Sequence, residues 1–214
     1  MRADVKIGDK WMEADMGFIF NSKSISPPDP NLVTIEIPGT SDVIDLTESI
    51  SGDIEYKQRS IMIKLESAQG KDSYYSKFAE LANYAHGKKM KITFNKDQGY
   101  YWIGRITVAS AEPKTYGSTI TITATVDPYK YKIVPDQYDF TVEGTYELTL
   151  VGSRKRTCPI IMTDTAMTVT YLENTYDLIV GENTILDIFL GEGDHVLTFT
   201  GAGIVSVIYD GGSL

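Results

Sequence analysis

The chain has 214 residues, 42% of them hydrophobic and 23% charged, which is the ordinary mix of a globular protein with material for a core. One cysteine, Cys158, excludes an internal disulfide and a zinc site built on several thiolates. The net charge of −9 is uneven: residues 1–135 hold 17 acids and 17 bases, whereas residues 136–214 hold 12 acids and 3 bases.

This asymmetry suggests two modules with different surroundings. It argues against direct nucleic-acid binding by the C-terminal part, since phosphate contacts need Lys and Arg. The N-terminal part has no basic run longer than Lys88-Lys89. No stretch reaches the roughly 18 apolar residues of a membrane span. The opening MRADVKIGDKW lacks the apolar core of a signal peptide.

Taken in chain order, alternation of apolar and polar residues predicts half-buried strands. Pro27, Pro28 and Pro30 mark the segment 24–31 as a connection or contact loop outside any central strand. Val33-Ile35-Ile37 alternate with Thr34 and Glu36, and Ile61-Ile63-Leu65 with Met62, Lys64 and Glu66. Asp42, Asp45, Glu48, Asp53 and Glu55 lack calcium-loop spacing and read as solvated faces around a Ser51-Gly52 turn.

Residues 73–86 break the alternation. Tyr74, Phe78, Leu81, Ala82 and Ala85 recur at spacings of three and four, one face of an amphipathic helix. Asp72 or Ser73 is the expected N-cap, Gly87 the stop, and Lys88-Lys89 complement the helix dipole. Phe78 and Leu81 are expected to be buried on a sheet. Met90-Ile92-Phe94 then predict a strand, 101–109 a central one, and Ile120-Ile122-Ala124-Val126 a Thr-rich one.

Pro128 and Pro135 suggest a boundary, giving domains 1–133 and 134–214. Beyond it, Tyr138-Phe140-Val142 and Tyr146-Leu148-Leu150 flank Glu143-Gly144-Thr145, a hairpin signature. Met167-Val169-Tyr171, Ile185–Phe189, Val196–Thr200 and Ile204–Tyr209 predict further short strands. The expected fold class is mainly β: an N-terminal β-sandwich with one α-helix, plus a small C-terminal β-sandwich.

Chemistry-bearing patterns are sparse. His86 and His195 lie in different modules without a second nitrogen ligand nearby in sequence. Cys158 reads as a small core residue. Glu182, Asp187, Glu192 and Asp194 have no specific spacing, and there is no phosphate-binding glycine loop or nucleophile elbow. No catalytic residue, cofactor ligand or metal ligand is assigned. Arg154-Lys155-Arg156, the only bases after Lys132, read either as a solvated turn or as a contact with an acidic surface.

Three segments are similar to the distal tail protein of long-tailed (siphovirus-type) bacteriophages and prophage tails. They are Val126-Asp127-Pro128-Tyr129-Lys130-Tyr131, Tyr100-Tyr101-Trp102-Ile103-Gly104-Arg105, and the C-terminal Gly191 to Gly201 with Tyr209 to Leu214. The resemblance implies a structural protein of the virion, made in the host cytoplasm and placed at the distal tail tip. It implies a homo-hexameric ring of N-terminal domains joining the tail tube protein to the tail-associated hub protein, with a receptor-binding protein as a further partner. It implies no reaction and no cofactor. Two other readings stand beside it: a carbohydrate-binding module using aromatics of the C-terminal sandwich, and a hydrolase with paired carboxylates.

Overall fold

The computed structural model describes residues 2–49, 52–67, 71–109 and 118–214. The chain divides into two compact units, Met1–Pro128 with Leu214, and Tyr129–Ser213. The class is mainly β with one helix.

The first unit contains β1 (Val5–Ile7), β2 (Lys10–Trp11), β3 (Phe18–Ile25), β4 (Thr34–Glu36), β5 (Val43–Asp45), β6 (Arg59–Ser67), α1 (Lys71–Ala85), β7 (Lys89–Phe94), β8 (Tyr100–Val108) and β9 (Ser118–Val126). Its main sheet runs β2-β1-β7-β8-β9-β6-β3, antiparallel at every pairing. The expected central strand is β8, between β7 and β9, and the proline segment follows the edge strand β3. Ile61, Ile63 and Leu65 of β6 face the core with Ile120, Ile122 and Ala124 of β9. The sheet curls, because Phe20 of β3 meets Phe94 of β7 edge-on at 6.2 Å although β8, β9 and β6 lie between those strands.

The helix spans Lys71–Ala85, two residues earlier than its periodicity predicts. The expected capping by Asp72 or Ser73 involves side chains outside the described residues, as does Ser51 of the predicted turn. Tyr74, Leu81 and Ala85 are buried on the sheet. Phe78 is only partly buried and stacks on Tyr74, so the apolar stripe is rotated slightly from the expected one. At the C-terminus the Lys88 ammonium donates to the carbonyls of Tyr84 (2.7 Å) and Asn83 (3.2 Å), groups that a helix end leaves unpaired. Gly87 ends the helix at φ 78°.

Arg59 points into this core. Its guanidinium lies 4.1 Å over the Trp102 ring, and its Nε and Nη2 have no hydrogen-bond partner among the described residues. Burial pulls its pKa down.

The second unit contains β10 (Lys130–Lys132), β11 (Asp136–Gly152), β12 (Ile160–Thr163), β13 (Met167–Tyr171), β14 (Asn174–Leu178), β15 (Gly181–Thr184), β16 (Gly193–Tyr209) and β17 (Gly212–Ser213). Strands β11 and β16 pair along their whole length, from Asp136↔Tyr209 to Gly152↔Gly193. Two expectations are corrected here. Glu143-Gly144-Thr145 is no hairpin, and 196–200 and 204–209 are one strand. Gly144 sits at φ 89° opposite Gly201 at φ 150°, conformations that glycine adopts readily and that let a paired ribbon bend without ending. One half of β16 then carries β13 and the other β12, with a common core of Leu150, Val169, Leu197, Phe199, Val205 and Val207. A third expectation also fails. Ile185–Phe189 is a turn closed by the Ile188 amide on the Ile185 carbonyl (3.1 Å), and the strand lies earlier, at β15.

Candidate interaction surfaces

The residues with reactive potential occupy structural positions. His86 Nδ1 accepts the Val108 amide at 3.1 Å and so tidies the end of β8. Cys158 is half-buried rather than a core residue, and its thiol pKa is pushed up by burial, away from nucleophile behaviour. The Asp45 carboxyl is held below its usual range by hydrogen bonds from Thr47, whose amide donates to it at 2.9 Å. That is the opposite of the raised pKa a general acid needs. A cleft of about 410 Å³ beside it is lined by Pro30, Leu32, Thr47, Glu48 and Ile54. No group of three or more His, Cys, Asp or Glu side chains suited to a metal occurs among the described residues. No described helix is long and apolar enough to cross a membrane. Aromatic rings of the second unit stack on each other: Tyr138 on Tyr209, and Tyr146 on Phe140 at 4.4 Å.

The three bases singled out in the sequence diverge onto their own unit. Arg154 pairs with Glu192 at 3.2 Å, and the Lys155 ammonium lies 4.6 Å over the Tyr131 ring. Arg156 packs its stem near Gly191 and pulls on the Tyr171 phenol.

The β4–β5 hairpin was not singled out by sequence. Alternation along Val33-Ile35-Ile37 implied a strand over a core. The alternation is real, since Val33, Ile35 and Ile37 share a face with Ile44 opposite Ile35. The expected burial is not: these four are 36%, 52%, 38% and 46% exposed, and none belongs to either core. The surroundings are acidic. Residues 24–56 hold seven Asp and Glu and no Lys or Arg, the signal that would have set the hairpin apart.

A basic surface lies elsewhere on the same unit. Lys89 of β7 and Arg105 of β8 are exposed and directly opposite each other, flanked by Lys88 and Lys91. Like charges facing across a ladder repel, so this pairing costs stability.

No protein-family model matches the sequence, and no curated protein matches it. Among solved structures, SPP1 Dit (gp 19.1), described as a paradigm of the hub adsorption apparatus in Gram-positive-infecting phages, matches over 100% of both chains with a TM-score of 0.69 and 13% identity. A conserved protein of unknown function, PA5104 from Pseudomonas aeruginosa PAO1, matches 90% of this chain at a TM-score of 0.30 and 10% identity. This chain therefore has a fold similar to that of SPP1 Dit along its full length.

Proposed function

We propose that the chain is a structural virion protein that forms a hexameric ring at the distal end of a phage tail tube. The ring joins the tube protein to the tail-tip hub protein and carries the receptor-binding component. It performs no reaction. Residue-level resemblance to distal tail proteins and the fold similarity to SPP1 Dit both support this reading.

The observation that carries it is the uncovered apolar face of the β4–β5 hairpin. A closed ring needs two different surfaces that fit each other. The first unit supplies an acidic hairpin with an apolar face and a basic sheet surface at Lys88, Lys89, Lys91 and Arg105. Its net charge near zero removes long-range repulsion between copies. Val33, Ile35, Ile37 and Ile44 are already about half buried, so covering the rest would contribute about 0.5–1.5 kcal/mol each. Their sum reaches only the low end of an association cost of about 4–15 kcal/mol, so the charge contacts and the rest of the interface must add to it.

Charge reversal tests it. Lys89→Glu with Lys91→Glu is expected to abolish self-association in sedimentation, and adding Glu36→Lys with Asp42→Lys to restore it. A chain that is a single axial copy in assembled tails contradicts the ring.

A further inference from the structure

His195, at the start of β16, sits in a cluster whose hydrogens can be counted. Its Nδ1 lies 2.7 Å from the Tyr171 hydroxyl. Its Nε2 lies 2.9 Å from the Gly191 carbonyl oxygen. The same Tyr171 hydroxyl lies 2.9 Å from the Phe189 carbonyl oxygen. Each of the three contacts needs one hydrogen. Both carbonyl oxygens only accept. A neutral imidazole brings one N–H and the phenol one O–H, so two hydrogens serve three contacts. Whichever tautomer forms, one pair of lone pairs is left face to face or one carbonyl is left without a donor. An imidazolium brings two N–H groups. Nε2–H then donates to Gly191, Nδ1–H donates to the phenol oxygen, and the phenol donates to Phe189.

We propose that His195 and Tyr171 form a proton-operated latch on the 185–192 segment, closed when His195 is protonated. This proposal does not depend on the ring. The proton comes from solvent, which reaches the half-buried imidazole. Both carbonyl anchors, Phe189 and Gly191, lie on the gripped segment, so closure immobilises it. The segment is also held by Ile188 and Leu190, which are fully buried in the core, and by the Leu190–Thr157 backbone pair at 2.9 and 3.2 Å. The Cys158 thiol on the Leu186 carbonyl at 4.0 Å and the Arg154–Glu192 ion pair hold it too, so the latch acts on the exposed turn between these anchors. It presents Leu186, 72% exposed, and Phe189, 47% exposed, to solvent. Gly191 cannot move toward β11 to escape. Its carbonyl oxygen lies only 1.7 Å from where a Cβ at Gly152 would sit, and the His195 ring is 3.1 Å from the same point.

The titratable and charged groups around the imidazole lie on several elements. Tyr171 faces it from β13, and burial raises the phenol pKa while Arg156 lowers it. The charged side chains on the neighbouring segments are Arg156, Glu192, which is paired with Arg154, and Asp194, next to His195 in sequence. Leu150, its ladder partner on β11, adds no charge.

Amide hydrogen exchange of the full chain at about pH 5 and about pH 8, which bracket histidine titration, tests the latch. Rates are corrected for the intrinsic pH dependence of exchange. Amides of 185–192 are expected to exchange about two- to tenfold more slowly at the acidic pH, the factor that one added hydrogen bond supplies. In Tyr171→Phe and in His195→Gln this difference is expected to vanish. Equal corrected protection at both pH values in the wild type, or a pH effect that survives Tyr171→Phe, overturns the proposal. Should a variant not fold, ¹⁵N spectra of the wild-type imidazole decide: two hydrogen-bonded N–H signals are expected at acidic pH and one at alkaline pH. A single N–H signal throughout overturns the latch.

Discussion

Gly144 and Gly201 face each other across the β11–β16 ladder, at φ 89° and 150°. Through this pair one long ribbon serves two halves of the second unit. A Cβ at Gly201 would also lie 2.6 Å from the Met167 Cβ, whereas one at Gly144 would meet nothing within 4 Å. Gly201→Ala is expected to destabilise by about 1–3 kcal/mol for backbone strain plus the cost of displacing Met167. Gly144→Ala is expected to lose less, about 1–2 kcal/mol. Denaturant unfolding checks both. A loss for Gly201→Ala within the roughly 0.5 kcal/mol of a surface substitution would contradict the bend.

Leu81 and Phe78 separate the centre of the helix stripe from its margin. Leu81 is fully buried, so Leu81→Ala is expected to cost about 2–5 kcal/mol. Phe78 keeps a solvent-exposed side, so Phe78→Ala is expected to cost less than Leu81→Ala. The reverse order in urea unfolding would mean that α1 packs through a different face.

Arg59 is buried over Trp102, and its Nε and Nη2 have no hydrogen-bond partner among the described residues. Stacking on the ring contributes about 0.5–2 kcal/mol, while an unsatisfied buried donor costs about 1–3 kcal/mol. The cost wins, so Arg59→Met, which fills the same space, is expected to leave the unfolding midpoint unchanged or raise it. A clear drop would show that the guanidinium has a stabilising partner.

Much of the first unit was legible in the sequence because its burial is periodic. Ile61-Ile63-Leu65 and Ile120-Ile122-Ala124 alternate strictly, and the structure buries those residues. The helix was legible for the same reason at a different period. The hairpin misled because alternation reports a face that is fit to be buried and does not say what covers it. Val33, Ile35 and Ile37 have the right spacing and no core beneath them. In the second unit, Gly144 read as a turn because glycine permits both a turn and a bend, and only the partner glycine at 201 distinguishes them. The His195–Tyr171 cluster was not legible at all, since its residues are 24 positions apart and meet only because β13 pairs with β16, with Tyr171 opposite Leu197.

Asp4 predicts a pH effect with a definite sign. Burial raises its pKa, outweighing hydrogen bonds from the Val5 and Glu13 amides, and the nearby Glu13 and Asp15 charges add to the rise. A carboxyl raised on folding opposes folding when ionised, and the penalty lifts as pH falls through its folded pKa. Asp4→Asn removes the charge, so its stability relative to wild type is expected to be highest at neutral pH and to shrink on acidification. A difference that grows on acidification would contradict the burial of this carboxyl.

The ring itself is tested most directly by cryo-electron microscopy of assembled tails containing this chain. A hexameric ring around the distal end of the tube is expected, with the β4–β5 hairpin of one copy seated on the Lys89–Arg105 surface of the next. A single axial copy, or a ring in which both surfaces face solvent, would contradict it.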